Sequence, residues 1–349
     1  MARAALVLIA GVLAVPGTAQ AASIELGLSN EPGGASAMRQ AAPFGYRYQY
    51  LAGGVNTGRG WSTWNENGTF VTRYIDESAK AGITPVFTYY MLRQSQPGAG
   101  EQDELKADIG NLRNASTMKA YWADLTLFFK RAGSAHRRVV LQVEPDMWGY
   151  LQQAGETKLA RSVAQRVVRL RNRLARNVLL GYHLSDWGTK TDLSIQNPTH
   201  GETNRLAGRA VRFYRGLGRG FDLIFAEFSD RDSGFKEHIY GMSHANAWWT
   251  PGDFERHVRF LRRVHSRAKR PIFLWQIPLG NHALPDTWGE FRDNRPEWLL
   301  GAGSAAHRKS YAAAGVRALL FGGGANGTTS EKTDGGWFLA HARAYYRGR

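Results

Sequence analysis

Short apolar segments of strand length recur along the chain, each bounded by polar or turn-forming residues. Such continuous apolar runs are typical of β-strands that are buried on both faces, as in parallel sheets. Consecutive runs are separated by enough residues for a helix and a loop. The eight predicted strands are Ile24–Leu28, Tyr46–Leu51, Thr84–Met91, Val139–Glu144, Val178–His183, Phe221–Glu227, Pro271–Gln276 and Val316–Phe321.

Between most of these runs the apolar residues recur at helical spacing, which predicts amphipathic helices. We expect one helix to end at Gly82, another to begin with Ser116 as its N-cap and close at Gly133, and a third to begin at Thr250-Pro251. The apolar stripes are Phe70, Tyr74, Ile75, Ala79; Tyr121, Trp122, Leu125, Phe128, Phe129; Leu159, Val163, Val167, Leu170, Leu174; and Phe254, Val258, Leu261, Val264.

Strands that alternate with helices indicate parallel pairing with right-handed crossovers. Eight such units predict an α/β protein made of a single (β/α)8 TIM barrel. No linker, internal repeat or low-complexity tail divides the chain. We therefore expect one barrel domain over residues 22–349.

The N-terminus has the pattern of a secretory signal peptide over residues 1–21. A positive start at Arg3 precedes an apolar run from Ala4 to Val15 and a small-residue cleavage site at Ala19–Ala21. The apolar run is too short to span a bilayer, and no later run is long enough. The chain also has no cysteine, which excludes disulfides and thiolate catalysis. We expect a secreted or periplasmic protein that is monomeric.

The chain is strongly basic, with a formal net charge of +16 at pH 7. Such a protein is attracted to anionic surfaces such as acidic polysaccharides, wall polymers, anionic lipids or nucleic acids. The cations are spread over the predicted helices, and no nucleic-acid-binding motif is found, so no specific nucleic acid is expected. The net charge therefore favours an anionic partner but does not identify it.

The first candidate catalytic residues lie where the fourth predicted strand ends. Pro145 cannot continue a central strand, so the strand should stop at about Glu144, with Asp146 just beyond it. The carboxyl ends of barrel strands carry the active site in proteins of this fold. The alternative is that an acid at a strand end has only a structural role, in which it caps the next helix or pairs with an arginine. Glu227 closes the sixth strand in the same way.

Glycoside cleavage needs one carboxylic acid to protonate the leaving oxygen and a second carboxylate as nucleophile or base. We predict Glu144 and Glu227 as this catalytic pair, because like charges in a shared, partly dry hollow push their pKa values apart. Asp146, Asp186 and Asp230 are the supporting acids. On this interpretation Glu144→Gln abolishes hydrolysis without unfolding the protein.

Aromatic and amide side chains near the strand ends complete the predicted substrate site. Indole rings stack on the faces of sugars, while amides and acids bond the hydroxyls. A single tryptophan more often packs in the core, but four of the tryptophans come directly after predicted strands, which favours contact with a ligand. The predicted substrate-binding residues are Trp61, Trp64, Tyr89, Trp148, His183, Trp187, Trp275, Gln276, Asn281 and Asn326.

With these strand-end acids the chain resembles the superfamily of (β/α)8 glycoside hydrolases over nearly its whole mature length. No individual family fits. Families with Asp-x-Asp-x-Glu at strand 4 match at Glu144, but Val140 and Gln142 stand at the aspartate positions. Families with Asn-Glu at strand 4 and Glu at strand 7 also match only at Glu144, since Val143 and Gln276 occupy the other positions. Families with aspartates on strands 4 and 6 fit the positions best.

The resemblance implies a secreted hydrolase that acts on a polysaccharide, and the net positive charge favours a negatively charged one. The alternative is a barrel that has lost catalysis and binds glycan or wall polymer through Trp61, Trp64 and Trp148. A metal-dependent phosphodiesterase would need three or more acids or histidines at one point. The histidines are dispersed, so neither a metal nor a cofactor is expected.

Overall fold

The protein folds as one closed barrel of eight parallel strands in a computed structural model that describes residues 23–229 and 231–349. The predicted signal peptide and Asp230 lie outside the described residues. Neighbours around the barrel follow chain order, and β1 closes it against β8. The strands are β1 Glu25–Ser29, β2 Tyr46–Leu51, β3 Thr84–Tyr89, β4 Val139–Val143, β5 Val178–Leu184, β6 Leu223–Glu227, β7 Ile272–Ile277 and β8 Val316–Phe321.

Helices surround the barrel and connect its strands. The α-helices are α1 Ala35–Ala41, α2 Thr69–Lys80, α3 Glu104–Arg113, α4 Ala115–Ser134, α5 Pro145–Gln153, α6 Thr157–Leu174, α7 His200–Gly216, α8 Ser233–Tyr240, α9 His244–Ala247, α10 Pro251–Ala268, α11 Arg295–Leu300, α12 Ser304–Ala313 and α13 Trp337–Arg347. Short 3-10 turns occupy Trp61–Thr63, Glu66–Gly68 and Asp186–Thr189. The single (β/α)8 barrel predicted from the sequence is therefore confirmed.

The predicted strands match the observed ones to within two residues at every end. β4 stops at Val143, and Pro145 begins α5, so the proline ends the strand as expected. Thr250 caps α10 and forms a reciprocal capping box with Asp253. Ser116 is not the cap of α4. Asn114 holds that position, and its side chain accepts a hydrogen bond from the Thr117 amide at 2.9 Å.

Two apolar layers hold the barrel together. The larger cluster lies between the strands and the helices and includes Leu141, Leu180 and Phe87. A smaller cluster fills the barrel itself, as is usual for this fold. It comprises Tyr48, Val86, Val140, Leu223, Phe225, Phe273, Trp275, Ala318 and Leu320. The interior is therefore a packed core, and space for a ligand is left only at its ends.

The ladder between β7 and β8 is irregular near its carboxyl end. Leu274 pairs with Leu319, but the next pair joins Ile277 to Phe321, so the register shifts between them. Gln276 within this stretch has a positive φ of 52°. The strand is locally bent at the rim, as β-bulges bend strands.

Carboxylates tie the long loops above β6, β7 and β8 to one another. The buried Asp232 accepts hydrogen bonds from the amides of Gly280 at 2.9 Å and Thr329 at 2.9 Å. Asp293 forms a fully buried ion pair with Arg295 at 2.5 Å and also accepts from the Ser233 amide at 2.7 Å. These bonds fix the loops that surround the carboxyl ends of the strands.

Gly181 of β5 gives a direct test of the interior packing. A Cβ added there would lie 2.2 Å from the ring of Phe225, so Gly181→Ala should destabilise the protein by about 1–3 kcal/mol. Gly110→Ala on α3 is the matched control. Its added Cβ meets nothing within 4 Å, and it should stabilise by up to about 1 kcal/mol. Urea unfolding measures both, and equal effects would contradict the packing described here.

Candidate active site

A cavity of about 290 Å³ opens at the carboxyl ends of the strands, and we call it the mouth pocket. It brings together acids, aromatic rings and one arginine from the ends of β2, β3, β5, β6 and β7 and from α3 and α5. Its lining residues are Tyr50, Tyr90, Glu104, Pro145, Asp146, Tyr150, Trp187, Glu227, Arg231, Trp275, Gln276 and Gly324. Of the two predicted catalytic glutamates, Glu227 lines this pocket and Glu144 does not.

Glu227 is the last residue of β6, so the strand delivers its carboxyl group to the rim. The indole Nε1 of Trp187 donates a hydrogen bond to Glu227 Oε2 at 2.9 Å. The pKa of Glu227 is raised to about 7, mainly by burial and then by the charges of Asp186 and Asp146, against the opposing effect of Trp187. At neutral pH this carboxyl group is therefore balanced between its acid and its carboxylate.

Asp146 is the second residue of α5 and faces the same pocket. Burial raises its pKa to about 6, and Glu104 adds to this shift. The hydroxyl of Tyr90 bonds the carboxylate and Arg231 attracts it, so both oppose the increase. Tyr90 and Arg231 thus favour the carboxylate form of Asp146, which suits it to the role of base, and Glu227 is left as the acid.

Glu144 points into the wall of the barrel. Its Oε1 accepts hydrogen bonds from the amides of Met91 at 3.2 Å and Leu92 at 3.1 Å, and the residue is 1 % exposed. Burial, followed by the charge of Asp108, raises its pKa well above the usual range. The structure does not bring Glu144 and Glu227 into one hollow, because Glu144 secures the loop after β3.

Asp186 supports the loop that carries Trp187. Its Oδ1 accepts from the Trp187 amide at 2.7 Å and its Oδ2 from the Leu193 amide at 3.0 Å. Burial raises the pKa of Asp186 to about 7, with a further contribution from Asp192. Asp186 therefore lies behind the pocket wall and influences Glu227 through its charge.

Three of the predicted substrate-binding residues line the mouth pocket: Trp187, Trp275 and Gln276. The Gln276 amide also donates a hydrogen bond to the Tyr50 hydroxyl across the rim.

Three predicted aromatic contacts are instead part of the core. Trp61 Nε1 and the Tyr89 hydroxyl both bond Asp124 Oδ1 at 2.7 Å, and both rings are fully buried. Trp148 is equally buried, and its Nε1 donates to the Val143 carbonyl at 2.7 Å. Tyr89 is the last residue of β3, and Trp61 and Trp148 follow strands in the sequence, but all three rings turn outward under the helices. They cannot stack on a sugar at the mouth.

The remaining four predicted residues also lie away from the mouth pocket. His183 sits below it inside the barrel, where its Nδ1 pairs with Gln142 Nε2 at 2.7 Å, and burial lowers its pKa to about 3. Asn281 is buried and donates to the Asp334 carbonyl at 2.9 Å. Asn326 lines a separate cavity of about 660 Å³ near β1. Trp64 is 42 % exposed and packs on Phe70.

Sequence analysis did not select Tyr50, Glu104 or Tyr150. Glu104 begins α3, and its Oε2 accepts a hydrogen bond from the Tyr150 hydroxyl at 2.7 Å. Tyr50 lies inside β2, where an aromatic residue normally indicates core packing. The single available signal was the position of Tyr50 next to the end of its strand.

Within residues 23–229 and 231–349, no three His, Asp or Glu side chains are grouped so that they could hold a metal ion. In the same part of the chain, no helix is long and apolar enough to cross a membrane.

Comparison with solved structures shows the same barrel in glycoside hydrolases. The GH26C protein of Muricauda sp. MAR_2010_75 superimposes with a TM-score of 0.60 at 12% identity, covering 93% of this chain and 86% of that one. An endo-β-1,4-mannanase of Cellulomonas fimi gives 0.59 at 13%, covering 93% and 70%. The endoglucanase Cel5A of Thermotoga maritima gives 0.57 at 10%, covering 90% of each chain.

The predicted resemblance to (β/α)8 glycoside hydrolases is thus confirmed for the fold. At these identities the likeness shows the shared architecture alone. No protein-family model matches the chain, and no curated protein matches it in sequence.

The buried Asp108 makes the stability of the protein depend on pH. Asp108 is 2 % exposed, and burial raises its pKa to about 8, helped by Asp146 and Glu104. An unfolded aspartate releases its proton near pH ~3.9, so between about pH 4 and 8 the folded state binds more protons. The free energy of unfolding should therefore fall as the pH rises through this window, by up to about 1.4 kcal/mol per pH unit.

Asp108→Asn should flatten this decline and increase stability relative to the wild type most at pH 8. Denaturant unfolding between pH 4 and 8 measures the slope. Asp76→Asn, at an exposed position on α2, is the control and should leave the slope unchanged. If Asp108→Asn leaves the slope as it is in the wild type, the raised pKa of the buried Asp108 is contradicted.

Proposed function

We propose that the protein is an exported glycoside hydrolase that cleaves a polysaccharide, with Glu227 and Asp146 as its catalytic acids. Glu227 keeps the role predicted from the sequence. Asp146 replaces Glu144, because Asp146 shares the pocket with Glu227 whereas Glu144 bonds backbone amides in the wall.

The observation that carries this proposal is a pair of carboxyl groups that share one pocket and both have raised pKa values. Their pKa values are raised to about 7 for Glu227 and about 6 for Asp146, chiefly by burial. The negative charge of Asp146 also raises the pKa of Glu227, so ionisation of one carboxyl group disfavours ionisation of the other. A dyad of this kind holds one proton near neutral pH, which is the state that glycoside cleavage starts from.

In the proposed mechanism Glu227 gives its proton to the oxygen of the leaving sugar. The Trp187 indole occupies Glu227 Oε2, which leaves Oε1 to carry the proton toward substrate. Asp146 acts as the carboxylate, either attacking the anomeric carbon or activating water. Tyr90 and Arg231 stabilise its negative charge. As the glycosidic bond breaks, Glu227 becomes negative and Asp146 becomes neutral or covalently bound.

Aromatic rings around the acids suit a sugar substrate. Trp187 and Trp275 present indoles to the pocket, and Tyr50, Tyr90 and Tyr150 present rings with hydroxyl groups. Flat apolar rings contact the C–H faces of sugars, and phenol hydroxyls bond sugar hydroxyls. The leader-like N-terminus and the charge of +16 support export and an anionic substrate.

Substitution of the two acids tests the assignment directly. Glu227→Gln and Asp146→Asn should each lower kcat/KM about 10²–10⁴-fold, because each removes one proton-transfer partner. The measurement is release of reducing ends from a panel of neutral and acidic polysaccharides. Unfolding curves should show that both variants stay folded.

Glu144→Gln is the matched control for these variants, since a glutamine can still accept the amide hydrogen bonds in the wall. It should retain most activity. Loss of activity in Glu144→Gln alone would restore Glu144 as a catalytic acid. A wild type that binds the glycans but releases no reducing ends would instead support the non-catalytic barrel.

The pH profile of kcat/KM gives an independent test. Asp146 must be ionised and Glu227 protonated, so activity should rise through about pH 6 and fall above about pH 7. Trp187→Phe removes a hydrogen bond that lowers the pKa of Glu227. The alkaline limb of the profile should therefore move to higher pH, while the acidic limb stays. Movement of the acidic limb alone would refute the assigned roles.

A further inference from the structure

A second cavity, on the outside of the barrel, is lined by arginines. It has a volume of about 420 Å³ between α7 and α10, and we call it the arginine groove. Five of its seven lining residues are arginines, and none is acidic. The lining residues are Asn204, Arg205, Gly208, Arg209, Arg212, Arg263 and Arg267.

Helical spacing aligns these cations. Arg205, Arg209 and Arg212 follow one another by four and three residues on α7, and Arg263 and Arg267 are one turn apart on α10. The two rows meet over Gly208. A Cβ at that glycine would lie 3.5 Å from Arg267 Nη1 and 3.7 Å from Arg212 Nη1. Guanidinium groups from two helices therefore converge over bare backbone.

Few acids offset this charge. Arg205 lies 3.9 Å from Glu202, a carboxylate already used in the capping box of α7. Arg209 donates to the Thr189 carbonyl at 3.2 Å. For Arg212, Arg263 and Arg267 the described chain provides no ion pair within 4.0 Å. Clustered like charges repel one another, and a bound anion would relieve that repulsion.

The arginine groove continues toward the mouth of the barrel. A neighbouring cavity of about 720 Å³ shares Arg209 and Arg212 and reaches Gly188, Thr189 and Lys190. These residues belong to the segment that follows Trp187, whose indole lines the mouth pocket. A basic path thus leads from the outer helices to the loop beside the candidate catalytic acids.

We propose that the arginine groove binds an anionic polysaccharide, one that carries carboxylate or sulfate groups on successive sugars. Planar guanidinium forks match such groups with two parallel hydrogen bonds. No aromatic side chain lines the groove, so it lacks the stacking platform on which single-stranded nucleic acids bind. The choice of a glycan rests on the proposed function, whereas the anionic character of the ligand rests on the groove alone.

The test measures binding of the full-length protein to polygalacturonate and to dextran sulfate, with uncharged dextran for comparison. Arg212→Gln combined with Arg267→Gln should weaken binding to at least one of the two anionic polymers by at least about tenfold, because two charge-assisted contacts are lost. Arg39→Gln combined with Arg73→Gln is the matched control. It removes the same charge from exposed positions on α1 and α2 and should leave binding nearly unchanged.

Equal loss in both double variants would overturn the proposal, since net charge alone would then explain the affinity. Binding that is tighter to DNA or to phosphatidylglycerol vesicles, and lost in the groove variant, would assign the groove to a different partner and also overturn it. The proposal would also be overturned if the wild type bound neither of the two anionic polymers.

The failure of this inference is distinguishable from failure of the proposed function. Glu227→Gln should bind the anionic polymer as the wild type does, because Glu227 does not line the groove. The groove variant should retain cleavage of an oligosaccharide that is too short to reach from the mouth pocket to the groove. A wild type that binds the anionic polymer but cleaves no glycan refutes the hydrolase alone. A wild type that cleaves glycan but binds the polymer no better than the groove variant does refutes the groove alone.

Discussion

The backbone turn at Glu144 determines what the mouth of this barrel can do. Glu144 has φ 42° and ψ 78°, a left-handed conformation that costs a non-glycine residue of order 1–3 kcal/mol. The turn directs two acids, only two residues apart, to opposite sides. Glu144 reaches back to the amides of Met91 and Leu92, and Asp146 enters the pocket. Those amide bonds offset the strain, so the candidate site depends on an acid outside it.

Burial rather than pairing controls the charge of the mouth. For Glu144, Asp146, Asp186 and Glu227 the loss of water is the first cause of the raised pKa. The protein nevertheless has an excess of cations, and many of them lie on the outer helices. Acids are thus concentrated inside the rim, where Arg231 is the one arginine that lines the mouth pocket. Arg231 already opposes the raised pKa of Asp146, and further arginines at the rim would lower the proton affinity of the pocket more.

The strands were predictable because a buried parallel strand needs an uninterrupted apolar run, and Pro145 marks the end of one. The site was predictable only in part. A strand end places a residue on the rim, but the local turn decides whether its side chain faces the pocket or the helices. Trp148 follows β4 and is nonetheless core, because its indole bonds the Val143 carbonyl. Glu104 could not be found, since α3 brings it to Asp146 from a distant part of the chain.

The bend near the end of β7 has a consequence for how the pocket can change. In a regular strand, neighbouring side chains point to opposite faces, so only one of Trp275 and Gln276 would reach the ligand space. The shifted register lets both contribute to the same wall. Two adjacent codons therefore control an aromatic surface and a hydrogen-bonding amide together. Diversification of the chain at this one dipeptide would reshape what the mouth pocket can bind while leaving both acids in place.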